Sequence, residues 1–300
     1  MVEILNKKLH FLHPAQLTRI IKVISKEVCK IAILPGLMIF LLIFPCRSMA
    51  QGNLLVTPRR VVFEGSKRSE ELNLANVGND TATYFISIIQ IRMKEDGAFE
   101  KITQPDSGQK FADKNIRFFP RSVTLAPNEA QSVKMQITKS NELQDGEYRS
   151  HIYFRALPKE KPLGEKKPFK DSGVSVQLIP IFGISIPVII RRGENTTNLS
   201  LSDLVFSYDK DTIPALTLTI NRIGNMSVYG DLWVEHTSVE GKVTRAGIIN
   251  GLAVYFPLTL RHVRFPLDKD AGINYHTGTL HIVYSDQSSR KIAQRELYLH

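Results

Sequence analysis

The sequence predicts an all-β chain built as two β-sandwich domains behind an N-terminal export segment. Three observations carry that prediction. Runs rich in Val, Ile, Thr and aromatic residues recur along the chain, with turn signals at intervals of about eight to twelve residues. No stretch beyond the first fifty residues shows a convincing helical period. Those first fifty residues differ in kind from the remainder.

The leader, residues 1–50, opens with Lys7, Lys8, Arg19, Lys22, Lys26 and Lys30. It continues through an apolar run from Ile31 to Pro45 and closes on Ser48-Met49-Ala50. A basic region, a short apolar core and small residues two apart form the pattern of a secretory signal peptide. The apolar run is shorter than the roughly 20 residues a spanning helix needs, which favours cleavage after Ala50 over a retained anchor. Both cysteines, Cys29 and Cys46, fall in the leader, so residues 51–300 hold no disulfide or thiol chemistry. Removing the leader also lowers the formal charge from +10 to +5. That is a mildly basic surface, not a nucleic-acid footprint.

From Leu54 to Phe63 the chain reads as an opening strand, with Pro58 placing it at a sheet edge or breaking it partway, because proline cannot donate to a ladder. Glu71–Val77 alternates Leu72 and Leu74 with polar neighbours, and Thr83–Met93 is long, β-branched and aromatic. A polar stretch up to Asn115 predicts loop with a short edge strand. Strand character returns over Ile116–Leu125 and again in Gln131–Thr138, where Val133, Met135 and Ile137 alternate. Tyr148 follows the turn Asp145-Gly146 and begins another strand. That placement fits either a tyrosine corner of the immunoglobulin kind or an ordinary buried tyrosine.

A Lys-, Pro- and Gly-rich loop, 159–173, leads into Val174–Arg192, the most apolar stretch outside the leader. Its first half alternates, with Val174, Val176 and Leu178 on one side. Ile179–Ile190 is apolar at almost every position, as in a strand covered on both faces. The first domain is therefore placed at 51–192 and the second at 193–300. Within the second, Ala215–Asn221, Val228–His236 with the sole tryptophan Trp233, Gly278–Tyr284 and Glu296–Leu299 read as strands.

Catalytic and metal chemistry find no foothold. The histidines after residue 50 are scattered, with no pair at metal-ligand spacing, and His151 reads as a surface or cross-strand residue. No nucleophile elbow, phosphate loop or carboxylate pair occurs. No enzyme activity, cofactor, metal or small-molecule substrate is expected.

Three motifs, TPRRVVFEGSKRSEELNLAN, FFPRSVTLAPNEAQSVKMQ and DGEYRSHIYFRALP, precede the long strand. In order and spacing over Leu54–Arg192, they resemble the N-terminal domain of PapD-like periplasmic chaperones. The resemblance implies two immunoglobulin-like sandwiches in the periplasm. The implied partners are secreted pilus or surface-fibre subunits and an outer-membrane usher. It also implies that an arginine of the first strand, here Arg60 with Arg59 beside it, holds the client's terminal carboxylate. A guanidinium–carboxylate bond contributes about 1.5–3 kcal/mol.

The same resemblance implies that Val174, Val176 and Leu178 fill a missing-strand groove in the client, a recognition mode based on strand addition. Left without a client, such an edge would favour self-association. One departure stands out: where the family carries a lysine on the last strand this chain has Pro187, and no lysine lies between Val174 and Ile190. The competing reading is a secreted or envelope-attached adhesion or scaffold protein with the same fold and no donated strand.

Overall fold

The computed structural model describes residues 54–158, 181–210 and 212–300. The leader, Val174, Val176 and Leu178 lie outside those residues. Among the described residues there is no helix long and apolar enough to cross a membrane, and the helical content is two short 3-10 turns.

Two pairs of sheets make two immunoglobulin-like sandwiches. The first is built from β1 (Leu54–Thr57), β2 (Val61–Phe63), β3 (Ser69–Asn76), β4 (Ala82–Met93), β5 (Phe99–Ile102), β6 (Ile116–Phe119), β7 (Ser122–Leu125), β8 (Ala130–Ile137), β9 (Gly146–Ala156) and β10 (Gly183–Arg192). One sheet runs β1-β3-β8-β6 and the other β2-β10-β9-β4-β5, with β7 also on β4. The predicted interruption at Pro58 is where the chain changes sheet: β1 pairs with β3, and β2 lies parallel to β10. Pro120 does the same for the stretch read as one strand from Ile116 to Leu125. There β6 joins β8 and β7 joins β4.

The alternation read in the sequence is the alternation that packs. Leu72 and Leu74 of β3 and Val133 and Met135 of β8 meet in one apolar cluster between the sheets, where Ile152 and Phe154 of β9, not singled out in the sequence, join them. Burying each such side chain contributes roughly 1.5–3 kcal/mol. Tyr148 forms the corner its position suggested, since its hydroxyl accepts the Gln144 N–H at 3.0 Å. The edge strand expected in the polar stretch is β5, paired to β4.

The second sandwich holds β11 (Asn198–Asp209), β12 (Ile213–Ile223), β13 (Val228–Thr237), β14 (Val243–Val254), β15 (Leu260–Pro266), β16 (Gly278–Asp286) and β17 (Lys291–Leu299). Its sheets run β11-β12-β15 and β14-β13-β16-β17 around a separate core containing Leu216, Leu218, Val234 and Ile282.

Strand β10 corrects part of the sequence reading. Gly183 and Ser185 are exposed, and burial of successive residues is confined to Val188–Ile190, where β2 and β9 flank the strand. Its antiparallel ladder with β9 covers all ten of its residues. On the other flank β2 reaches only Val188–Ile190, so Gly183–Pro187 has no strand partner there among the described residues.

Candidate functional site: the cleft between the sandwiches

Strand β9 presents Glu147, Arg149 and His151 on the face turned away from the first core. On an isolated sandwich that face would be wet. Here the second sandwich covers it, and all three are buried, His151 to 3% exposure. Of the two placements read for His151, the surface one is corrected and the cross-strand one holds: it pairs with Ile89 and Pro187 in the ladders, and its ring lies against Tyr255 of the second sandwich, with centroids 6.0 Å apart.

Glu147 is the hub. Its carboxylate accepts from Arg149 Nη2 at 2.7 Å and from Arg191 Nε at 3.2 Å. From the second sandwich it accepts the Ser227 N–H at 2.9 Å and the Ser227 hydroxyl at 2.5 Å. The Ser227 hydroxyl in turn accepts the Phe256 N–H at 2.7 Å. Burial alone would raise the carboxyl pKa, but the two guanidiniums and the Ser227 hydrogen bonds outweigh it and hold it near 2. Arg149 also stacks on Tyr255, with its guanidinium carbon 3.7 Å from the ring centre. His151 has no such help. Burial, and then the charge of Arg149, push its pKa down to about 3, so the imidazole is neutral at physiological pH. Its Nδ1 is buried without a hydrogen-bond partner among the described residues.

Arg222 of β12 is another buried cation beside this hub, and it is satisfied without any carboxylate. Its guanidinium donates to the carbonyls of Leu258 (2.8 Å), Gly224 (2.8 Å), Met226 (3.0 Å) and Pro257 (3.3 Å). It thereby fixes the turn that delivers Ser227 to Glu147.

Arg60 stands in contrast. It is half-buried where β2 begins, and its guanidinium carbon lies 4.4 Å from the ring centre of Tyr229 on β13. Among the described residues this ring contact is its partner, and it makes no hydrogen bond or ion pair there. Burial and then the charges of Arg149 and Arg191 lower its pKa to about 10, which leaves it cationic at neutral pH. The cleft thus sets Arg60, Arg149 and Arg191 around the Glu147 carboxylate, which engages the last two directly, while Arg191 also reaches the exposed Glu64 at 4.0 Å. An additional carboxylate is the group this arrangement is short of.

Of the residues singled out in the sequence, Arg60 lies in the cleft, whereas Arg59 is exposed and makes none of these contacts. Pro187 lies directly across from His151 in the β9–β10 ladder, so neither strand offers a lysine at that level. Glu147, Arg149, Ser227, Tyr229 and Tyr255 escaped the sequence reading. A signal was available for one of them, because pairing β9 with β10 sets Glu147 directly opposite Arg191. Past Tyr255 the seam opens into a groove of about 800 Å³ whose walls include Ile91, Met93, Phe256 and Leu258. No cluster of three or more His, Cys, Asp or Glu suited to a metal ion occurs among the described residues.

No protein-family model and no curated protein matches the chain. Solved structures do. The chain is similar to the CupB2 chaperone of Pseudomonas aeruginosa, at 13% identity over 82% of this chain and 100% of that one, with a TM-score of 0.38. It is similar to the E. coli chaperone DraB, at 14% identity over 82% and 96% of the two chains, with a TM-score of 0.38. It is also similar to a chain of the CsuC–CsuE chaperone–tip adhesion subunit pre-assembly complex from the archaic chaperone-usher Csu pili of Acinetobacter baumannii. That match has 14% identity over 83% and 98%, with a TM-score of 0.39.

Proposed function

We propose that this chain is a non-enzymatic periplasmic chaperone for secreted pilus or surface-fibre subunits. In this reading Arg60 receives the client's terminal carboxylate in the cleft between the domains 51–192 and 193–300. The observation that carries it is the state of Arg60: a half-buried cation on an aromatic face, with no hydrogen bond or ion pair among the described residues. The main chain of a subunit carries one free carboxylate, its C-terminus, and every client has it.

The open flank of β10 at Gly183–Pro187 supports the second half of the reading. A client strand added there would run on toward Val174, Val176 and Leu178, whose side chains would enter the client's incomplete core. Main-chain pairing supplies affinity, and the alternating side chains supply selection. Arg59, exposed beside Arg60, acts as an outer guide for the same carboxylate. Pro187 in place of the family's lysine leaves Arg60 as the principal anchor.

The test is affinity purification from the periplasm of the native host, comparing the unaltered protein with Arg60→Ala and Val176→Asp. Recovery of small secreted β-rich subunits that is lost in both variants is the expected result. If both variants keep every partner, carboxylate anchoring and strand donation are wrong for this protein.

A further inference from the structure

Resting on that reading, we infer that Tyr229 is a positioning residue for the carboxylate anchor, so that the site is shared between the two sandwiches. Arg60 comes from the first sandwich and the ring beneath it from β13 of the second. An arginine side chain left to itself spreads over many rotamers, and ordering it on binding costs affinity. A ring face 4.4 Å from the guanidinium carbon restricts that freedom before any ligand arrives. It also leaves the guanidinium edge, where the N–H donors lie, free to meet a carboxylate in its own plane.

Tyr229 is itself held. It pairs with Ala253 across the β13–β14 ladder, and its hydroxyl approaches Gly251 so closely that a Cβ there would lie 2.8 Å from the oxygen. Gly251 has a positive φ of 69°, so a larger residue is disfavoured there on both counts. The other arginines of the cleft cannot substitute, because Glu147 engages Arg149 and Arg191 and four carbonyls engage Arg222.

The experiment uses the chain lacking its leader and a short peptide of alternating valine and threonine. The peptide is offered with a free C-terminus or as its C-terminal amide, and binding is followed by titration calorimetry. Tyr229→Phe keeps the ring face, and Tyr229→Leu keeps apolar bulk without it. The unaltered protein and Tyr229→Phe are expected to prefer the free acid equally. Tyr229→Leu is expected to lose roughly 3- to 30-fold of that preference, the range of a cation–π contact from exposed to desolvated. The Arg60 Nε–H proton resonance gives a second readout: a ring-current shift present with Tyr or Phe at 229 and absent with Leu.

Arg60→Ala separates the two levels. If it keeps the free-acid preference, or if the unaltered protein has none, the anchor itself is wrong. If Arg60→Ala abolishes the preference while Tyr229→Leu retains it, the anchor stands and the role of Tyr229 is overturned. Equal losses in Tyr229→Phe and Tyr229→Leu also overturn it, because the hydroxyl would then carry the effect.

Discussion

The first sandwich has two interiors of opposite chemistry on the two faces of one strand. Inward, β9 sends Ile152 and Phe154 into an apolar core. Outward, it sends Glu147, Arg149 and His151 into a seam that is just as buried but is built from charge and hydrogen bonds. The apolar side is insensitive to pH and tolerates imperfect geometry at a graded cost. The charged side works only while every partner is present, since a buried charge that loses its partner is left with its full desolvation penalty. One face therefore sets the fold, and the other sets how the two sandwiches meet.

Four measurements probe that contrast. Phe154→Ala is expected to destabilise by about 3–5 kcal/mol through the cavity it leaves, with the pH dependence of stability unchanged. Glu147→Ala, in the seam, is expected to cost a similar ~3–5 kcal/mol, because Arg149 loses its carboxylate while buried. Chemical denaturation at several pH values separates the two, since only Glu147→Ala alters the acid limb. A Glu147→Ala variant as stable as the unaltered protein would show that the seam contributes nothing net.

The acid limb has a predictable shape. Glu147 has a lower pKa folded, near 2, than its ordinary 4.5, so its contribution is full above pH 4.5 and is lost as pH falls toward 2. His151 is also depressed, from 6.5 to about 3. The folded state refuses a proton that the unfolded chain accepts, so stability declines below pH 6.5 and goes on declining down to pH 3. Between pH 6.5 and 4.5 His151 acts without Glu147, with a slope of at most about 1.4 kcal/mol per pH unit. His151→Leu is expected to flatten that interval and leave the steeper region below it. An unchanged slope would mean that His151 is not held neutral. At the small end, breaking the exposed Lys139–Glu142 pair with Glu142→Gln is expected to change stability by about 0–1 kcal/mol at most.

The same contrast explains what could be read in advance. Alternation in β3 and β8 is a local property of the chain, so Leu72, Leu74, Val133 and Met135 were recognisable as core. In the second sandwich β11, β14 and β15 escaped notice. The burial pattern of β14 is irregular, β11 carries a register shift between Ser202 and Val205 that breaks the two-residue period, and β15 alternates only over His262–Pro266, too short a run to stand out. The seam was illegible for a different reason. Glu147, Arg149 and His151 have the spacing of an ordinary solvent-facing strand, and nothing local announces that another domain lies on top. Arg60 could be named only because flanking residues resemble a known motif, and its platform Tyr229 lies 169 positions away in the chain.

Arg222 gives the seam one further property. Four carbonyl oxygens from two separate loops converge on its guanidinium, an arrangement that in other proteins is often organised by a bound calcium ion. Here the cation is tethered to β12 by its own side chain. It cannot be stripped by a chelator, exchanged for another ion or diluted away, so the turn carrying Ser227 keeps its shape in whatever ionic medium surrounds the protein.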